Sequence, residues 1–199
     1  WVLSQCPRLA SVDFTPCERL HSIGLDVLRN CDALERVVLP PSLQELGASM
    51  LSECASLVSV DLSACVALRR IDHYTVADCE ALERVLLPPN LEGIGVDAFW
   101  GCSALKSIDL GACVALRSID DGAFSFCDAL ETVVIPPSVE ELGARVLSSC
   151  GGLQRVDLSS CVALRRVGRG TLRNCGALKE VHVPSTVPHG ALKGLPTVE

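Results

Sequence analysis

Long apolar runs are missing from this chain, and so are flexible linkers, low-complexity tracts and blocks of basic charge. Mean hydropathy is positive, yet prolines and charges recur so often that no window approaches the ~18 apolar residues a membrane-spanning helix requires. No Gly/Ser/Pro-rich segment interrupts the stretch from Leu3 to Val187, so the 199 residues read as one continuous domain, 1–199. The opening residues, WVLSQCPRLA, lack the basic start and apolar core of a secretion signal and lack an initiating Met, which leads us to expect an excised or processed piece of a longer protein. Net charge is -7 and no Lys/Arg-rich run stands alone, which argues against nucleic acid or an anionic membrane as partner. Gly-rich phosphate loops are absent too. The four histidines, His21, His73, His182 and His189, fall at unrelated places, none with a Ser, Cys or acid at a spacing that recurs in hydrolases. Neither an enzymatic activity nor a cofactor is therefore expected. Aromatics, the usual anchors of interfaces, make up only 4% of the chain, so a binding surface must be built mostly from other residues.

What is present is a strict repeat. Pro40, Pro88, Pro136 and Pro184 are each 48 residues apart, as are Cys17, Cys65, Cys113 and Cys161. The other eight cysteines, Cys6, Cys31, Cys54, Cys79, Cys102, Cys127, Cys150 and Cys175, step alternately by 25 and 23, so each 48-residue unit holds two similar turns. One turn carries a Cys and six apolar positions, for example Cys54, Leu57, Val60, Leu62, Leu68, Ile71 and Val76. Val60 and Leu62 point inward around an outward Asp61, which predicts one short strand per turn with one buried face. LPPS or the small-residue loop DLSAC ends that strand, since proline cannot donate to a ladder. A second apolar group such as Leu43 and Leu46 returns along another side, with Gly47 expected where the chain bends again. Six buried side chains at roughly 1.5–3 kcal/mol each do not offset about 1–2 kcal/mol of backbone entropy per residue over two dozen residues. Turns must therefore stack. The predicted fold is a mainly β solenoid of about eight turns with little regular helix.

Turn length differs where PPS in one turn faces SACVA in the next. Just beyond that point Arg69 and Arg70, Glu92, Arg117, Glu140 and Glu141, then Arg165 and Arg166 alternate in sign, and with strands ~4.8 Å apart each acid lies between bases. The pattern reads as an exposed ion-pair ladder, with a charged docking edge as the alternative.

The spelling CDALERVVLPPSLQELGASML, repeated as CDALETVVIPPSVEELGARVL, resembles the BspA-type branch of the leucine-rich repeat superfamily. VLLPPNLEGIGVDAFWGCSAL matches most closely, because Ala98-Phe99 and Ala123-Phe124 reproduce that branch's Ala-Phe pair. Most turns depart by placing Leu28, Leu51, Val76, Leu147 or Leu172 at the Phe position, and the long turns add a cysteine. The resemblance covers nearly the whole chain. It implies a right-handed, gently curved solenoid with its parallel sheet on the concave side, and protein binding rather than catalysis, with surface antigens and adhesins among the members.

Cysteines 23 or 25 residues apart lack the close pairing of a metal site, so no metal is expected. Disulfides between adjacent turns fall within bridgeable Cα separation, but parallel Cβ vectors make the S–S dihedral hard to satisfy. The thiols read instead as small buried hydrophobes, which favours a reducing compartment over the cell surface.

The outward strand position reads Asp13, Val38, Asp61, Leu86, Asp109, Val134, Asp157, His182, with Arg36, Arg84 and Arg155 beside it. Acids alternating with aliphatics suit a basic or mixed protein partner, and a solvated ladder is the plainer reading. Trp100 and Phe126 lie just before cysteines of adjacent turns, outside the apolar grid, as a flank patch or as packed loop aromatics. The array starts inside a turn at Leu3, which leads us to expect that further repeats or a partner cover that end, and an irregular tail is expected over 188–199. The leading expectation is a noncatalytic interaction scaffold, an accessory or linker subunit of a large assembly. A cell-surface adhesin and a regulatory module of a larger enzyme are the other two readings.

Overall fold

The computed structural model describes residues 3–185; the tail expected over 188–199 lies outside them. The predicted strands form as β1 (Ser11–Asp13), β3 (Arg36–Val38), β5 (Ser59–Asp61), β7 (Arg84–Leu86), β9 (Ser107–Asp109), β11 (Thr132–Val134), β13 (Arg155–Asp157) and β15 (Glu180–His182). In each the middle residue faces inward, and the buried members of that row run from Val37 through Val60, Val85, Ile108 and Val133 to Val156. These strands pair in parallel as β1-β3-β5-β7 and β9-β11-β13-β15, with the two halves meeting between β7 and β9.

One strand per turn undercounts the structure. The returning apolar group forms a second parallel strand: β2 (Ser22–Ile23), β4 (Glu45–Leu46), β6 (Arg70–Ile71), β8 (Gly93–Ile94), β10 (Ser118–Ile119), β12 (Glu141–Leu142) and β14 (Arg166–Val167). Two residues are too few to display a period of two in sequence, so only their buried member was legible. Seven complete turns are described, and β15 opens an eighth. Helix is absent from the described residues, so none there is long and apolar enough to cross a membrane.

The third side of the coil consists of turns with left-handed backbone. Seventeen non-glycine residues among those described have positive φ, and most of them fall into two columns along the solenoid. One column is Gln5, Asn30, Glu53, Asp78, Gly101, Phe126, Ser149 and Asn174; the other is Asp26, Ser49, Tyr74, Asp97, Gly122, Arg145 and Gly170. Left-handed backbone costs an L-residue about 1–2 kcal/mol. Here N–H groups reach the neighbouring turn, as in Glu53 to Ala77, Asp78 to Trp100, Tyr74 to Val96 and Phe126 to Ser148, at 2.6–3.0 Å. The stack therefore stabilises a conformation that a single turn would not hold.

The apolar grid packs into one continuous core. Phe99 and Phe124, in the Ala-Phe position of adjacent turns, stack face to face with centroids 5.0 Å apart. Gly47 has a different role from the bend expected of it: its backbone is not left-handed, but a Cβ there would strike the backbone of Gly24 in the turn before. Glycine at that place permits close approach between turns.

Candidate functional site

The thiols other than Cys17 line the inside of the coil, and none is in a disulfide. They do more than fill space. Cys54 donates to the Leu28 carbonyl at 3.2 Å, Cys79 to Leu51 at 3.1 Å, Cys102 to Val76 at 3.2 Å, Cys127 to Phe99 at 3.3 Å and Cys150 to Phe124 at 3.1 Å, each in the turn before. The cysteines of the long turns reach back to proline carbonyls, Cys65 to Pro40 and Cys113 to Pro88. Burial pushes the buried thiols up, Cys113 to about 11 and Cys54 and Cys127 to about 12, whereas a hydrogen bond from Cys150 lowers the half-buried Cys175 to about 7. Nine cysteines are buried, Cys6 and Cys175 are half-buried and Cys17 is exposed. The exposure of Cys17 departs from the expectation of burial. No turn precedes its own among the described residues, so it lacks the proline carbonyl that its counterparts meet. Among those residues no cluster of His, Cys, Asp and Glu gathers to hold a metal ion.

On the outer face of the first sheet, register places Asp13 beside Val38, Asp61 beside Leu86, and Asp109 beside Val134, which also neighbours Asp157, followed by His182. Leu86 and Val134 are 44% and 51% exposed, and Val38 is half-buried. The aspartates have a local task as well. Oδ1 of Asp13, Asp61, Asp109 and Asp157 accepts the N–H of Thr15, Ser63, Gly111 and Ser159, two residues on, at 2.8–2.9 Å. Each closes an Asx turn that ends its strand. Hydrogen bonds from Thr15, its hydroxyl first, hold Asp13 below the usual carboxylate range, and those from Ser159 do the same for Asp157. One oxygen thus fixes the turn; the second oxygen of Asp157 lies 4.0 Å from Arg155 and 3.8 Å from the His182 ring, and those of Asp61 and Asp109 have no partner among the described residues.

The arginines beside this row divide. Arg155 reaches Glu180 at 3.7 Å, Asp157 at 4.0 Å and the His182 ring at 3.3 Å. Arg36 makes no ion pair among the described residues but its charge helps hold Asp13 ionised. Arg84 is exposed and has no carboxylate within ion-pair distance among those residues.

Along the start of the second sheet's strands, Arg69 pairs with Glu92 at 3.5 Å, Glu140 sits between Arg117 at 2.8 Å and Arg165 at 3.4 Å, and Arg166 meets Glu141 at 3.8 Å. Arg70 instead passes over Gly93, its neighbour in register, to pair with Asp120 two turns on. A Cβ at Gly93 would lie 2.6 Å from the Arg70 guanidinium, so glycine clears the path.

Trp100 and Phe126 sit on the left-handed side of the coil, apart from the sheet. Their rings meet edge to face with centroids 5.5 Å apart. Two features escaped the sequence reading. Tyr74, 45% exposed, stands on that same side. Val66, Val114 and Val162 are 52%, 71% and 65% exposed, one on each of the last three long loops, where the first carries Glu18. The signal for the valines was present, because CVAL recurs three times at intervals of 48.

Stacked parallel strands on two sides, inward columns of Leu, Ile, Val and Cys, and an exposed side-chain lattice define a leucine-rich repeat solenoid. The pattern described as BspA type leucine rich repeat region, in six copies, matches residues 2–115 and 112–190. The chain belongs to the BspA-type leucine-rich repeat family. Among solved structures it is similar to a T. pallidum leucine-rich repeat protein, at 23% identity and a TM-score of 0.62 over 87% of this chain and 74% of that one. A leucine-rich repeat protein from Bacteroides ovatus matches at 24% identity and a TM-score of 0.49 over 90% of this chain, which spans 56% of that protein's length. A leucine-rich cell surface protein from Faecalibacterium prausnitzii is 15% identical with a TM-score of 0.23, covering 96% of this chain and 86% of that one. No curated protein matches the sequence. The T. pallidum likeness supports the fold alone.

Proposed function

We propose that this chain is a noncatalytic scaffold that binds other proteins through the outer face of its first sheet, with Asp61, Leu86, Asp109 and Val134 at the centre and Arg36 and Arg84 at the side. The observation that carries this reading is the exposed alternation of acids and aliphatics, in which Leu86 and Val134 stay 44% and 51% exposed beside Asp61 and Asp109, each with one oxygen that has no partner among the described residues. Interfaces take their affinity from apolar contact and their register from charge, and this face offers both in a fixed lattice. A repeat array presents such a surface as its main chemical asset. The reading fits an accessory or linker subunit of an assembly. The family also accommodates a surface adhesin, and free buried thiols favour the reducing compartment in which a linker subunit would work.

The test keeps the turns intact. Asn at 61 and 109 retains the oxygen that accepts from Ser63 and Gly111 but removes the charge, and Leu86→Ser with Val134→Ser removes the apolar contact. Partner recovery from the native source should fall at least about tenfold with the four changes combined, while the melting temperature moves only a few degrees. Unchanged recovery by the folded variant would exclude this face.

A further inference from the structure

On the left-handed side of the coil, far around from the sheet face, a hollow of about 380 Å³ is lined by Arg29, Glu53, Tyr74, Ala77, Asp78 and Trp100, with two serines at its edge. We propose that this hollow receives an arginine or lysine side chain from a basic segment of a partner protein, held between the Tyr74 and Trp100 rings and the Asp78 carboxylate.

Three observations carry this. First, the walls are aromatic in a chain that has only two Trp, one Tyr and four Phe, and the edge-to-face contact with Phe126 fixes the Trp100 ring in place. A cation over such a ring gains from the ring quadrupole. Second, the charge balance is negative. The one guanidinium at the rim, Arg29, is already bound to Glu53 at 2.7 Å and to Asp26 at 3.3 Å. Asp78 has no side-chain ion pair or hydrogen bond among the described residues, and its partial burial, with Glu80 and Glu53 nearby, raises its pKa. A cation entering the hollow would relieve that cost. Asp97 adds negative charge beside Tyr74 and raises the phenol pKa, an effect that outweighs the opposing charge of Arg145. Third, the next turn leaves room for the acid. Asp78 sits in left-handed backbone at φ 59°, and its carboxylate lies where a Cβ at Gly101, next in the column, would come within 2.8 Å. The same position is Gln5, Asn30, Glu53, Phe126, Ser149 and Asn174 in other turns, so an acid recurs there only at Glu53 and no other turn follows an acid with a glycine.

This site is independent of the sheet face and of its partner. Trp1 and Trp100 are the only tryptophans, so a Trp1→Phe variant reports on the hollow by fluorescence. The probe is the hexapeptide Gly-Ser-Arg-Arg-Ser-Gly, with Gln-for-Arg and Lys-for-Arg versions as comparisons, titrated to about 1 mM. The expected result is a saturable change in Trp100 emission with the Arg or Lys peptide and none with the Gln peptide. Asp78→Asn, which left-handed backbone tolerates, should weaken binding at least tenfold, whereas Asp61→Asn on the sheet face should leave it unchanged. A response equal for Arg and Gln peptides, no saturable response, or an affinity that Asp78→Asn does not alter would overturn the assignment. None of these results bears on the sheet face, whose own variants are read by partner recovery.

Discussion

At the residue scale, the cysteine is the unit that ties one turn to the next. Its thiol is small enough to fit against a neighbouring turn and supplies a donor for a carbonyl that would otherwise face apolar surroundings, as Cys102 does for Val76. An acid whose proton is held more tightly in the folded chain than in the unfolded one loses stability as pH rises. The unfolded thiols titrate near 9 and the folded ones near 11 for Cys113 and near 12 for Cys54 and Cys127. Stability should therefore hold up to about pH 9 and decline between there and about 12. Circular dichroism melts should show a flat melting temperature from pH 7 to 8.5 and a fall of at least about 10 °C by pH 10.5. A double variant, Cys102→Ala and Cys127→Ala, should be less stable at pH 7 but show a shallower decline. A profile that stays flat to pH 11 would contradict the thiol account.

At the scale of elements, the second sheet has one seam. Strands β6 to β14 form a continuous ladder and β2 pairs with β4, but no ladder joins β4 to β6. In the later turns the Arg117 and Asp120 amides donate to Glu92 and Ile94 at 2.9 and 2.8 Å. The equivalent amides of Arg69 and Asp72 have no such bonds among the described residues, and a hollow of about 580 Å³ lined by Leu25, Leu46 and Arg70 lies there. Local opening follows missing backbone bonds. Amide exchange at Arg69 and Asp72 should be at least about tenfold faster than at Arg117 and Asp120. Equal protection at the two pairs would show that the seam is closed in solution.

Much of this was legible in the sequence, and the misses have physical causes. The 48-residue period, the inward Val60 and Leu62 around Asp61, and the acid and base edge were readable because each side chain repeats in kind as well as in place. The left-handed columns were not, because Tyr74, Phe126 and Arg145 are residues that favour other backbone when alone. Only neighbouring turns make their conformation affordable, and glycines at 101, 122 and 170 were too scattered to reveal the columns. The structural role of the candidate aspartates was visible in DFT, DLS and DLG, where an acid is followed two residues later by a small turn residue. Tyr74 escaped for the opposite reason: it occurs once, and a repeat reading discounts what does not repeat.

At the scale of the whole molecule, everything depends on the turns sharing one interior, so that the lattice outside is rigid enough to recognise a partner. Residue-resolved labelling of the native chain with a maleimide at pH 7, read by mass spectrometry, tests this directly. The account predicts modification of the exposed Cys17 and of the half-buried Cys6 and Cys175, and protection of the nine buried thiols until the chain unfolds. Modification of Cys102 or Cys127 at the rate of Cys17, or recovery of either in a disulfide, would contradict it.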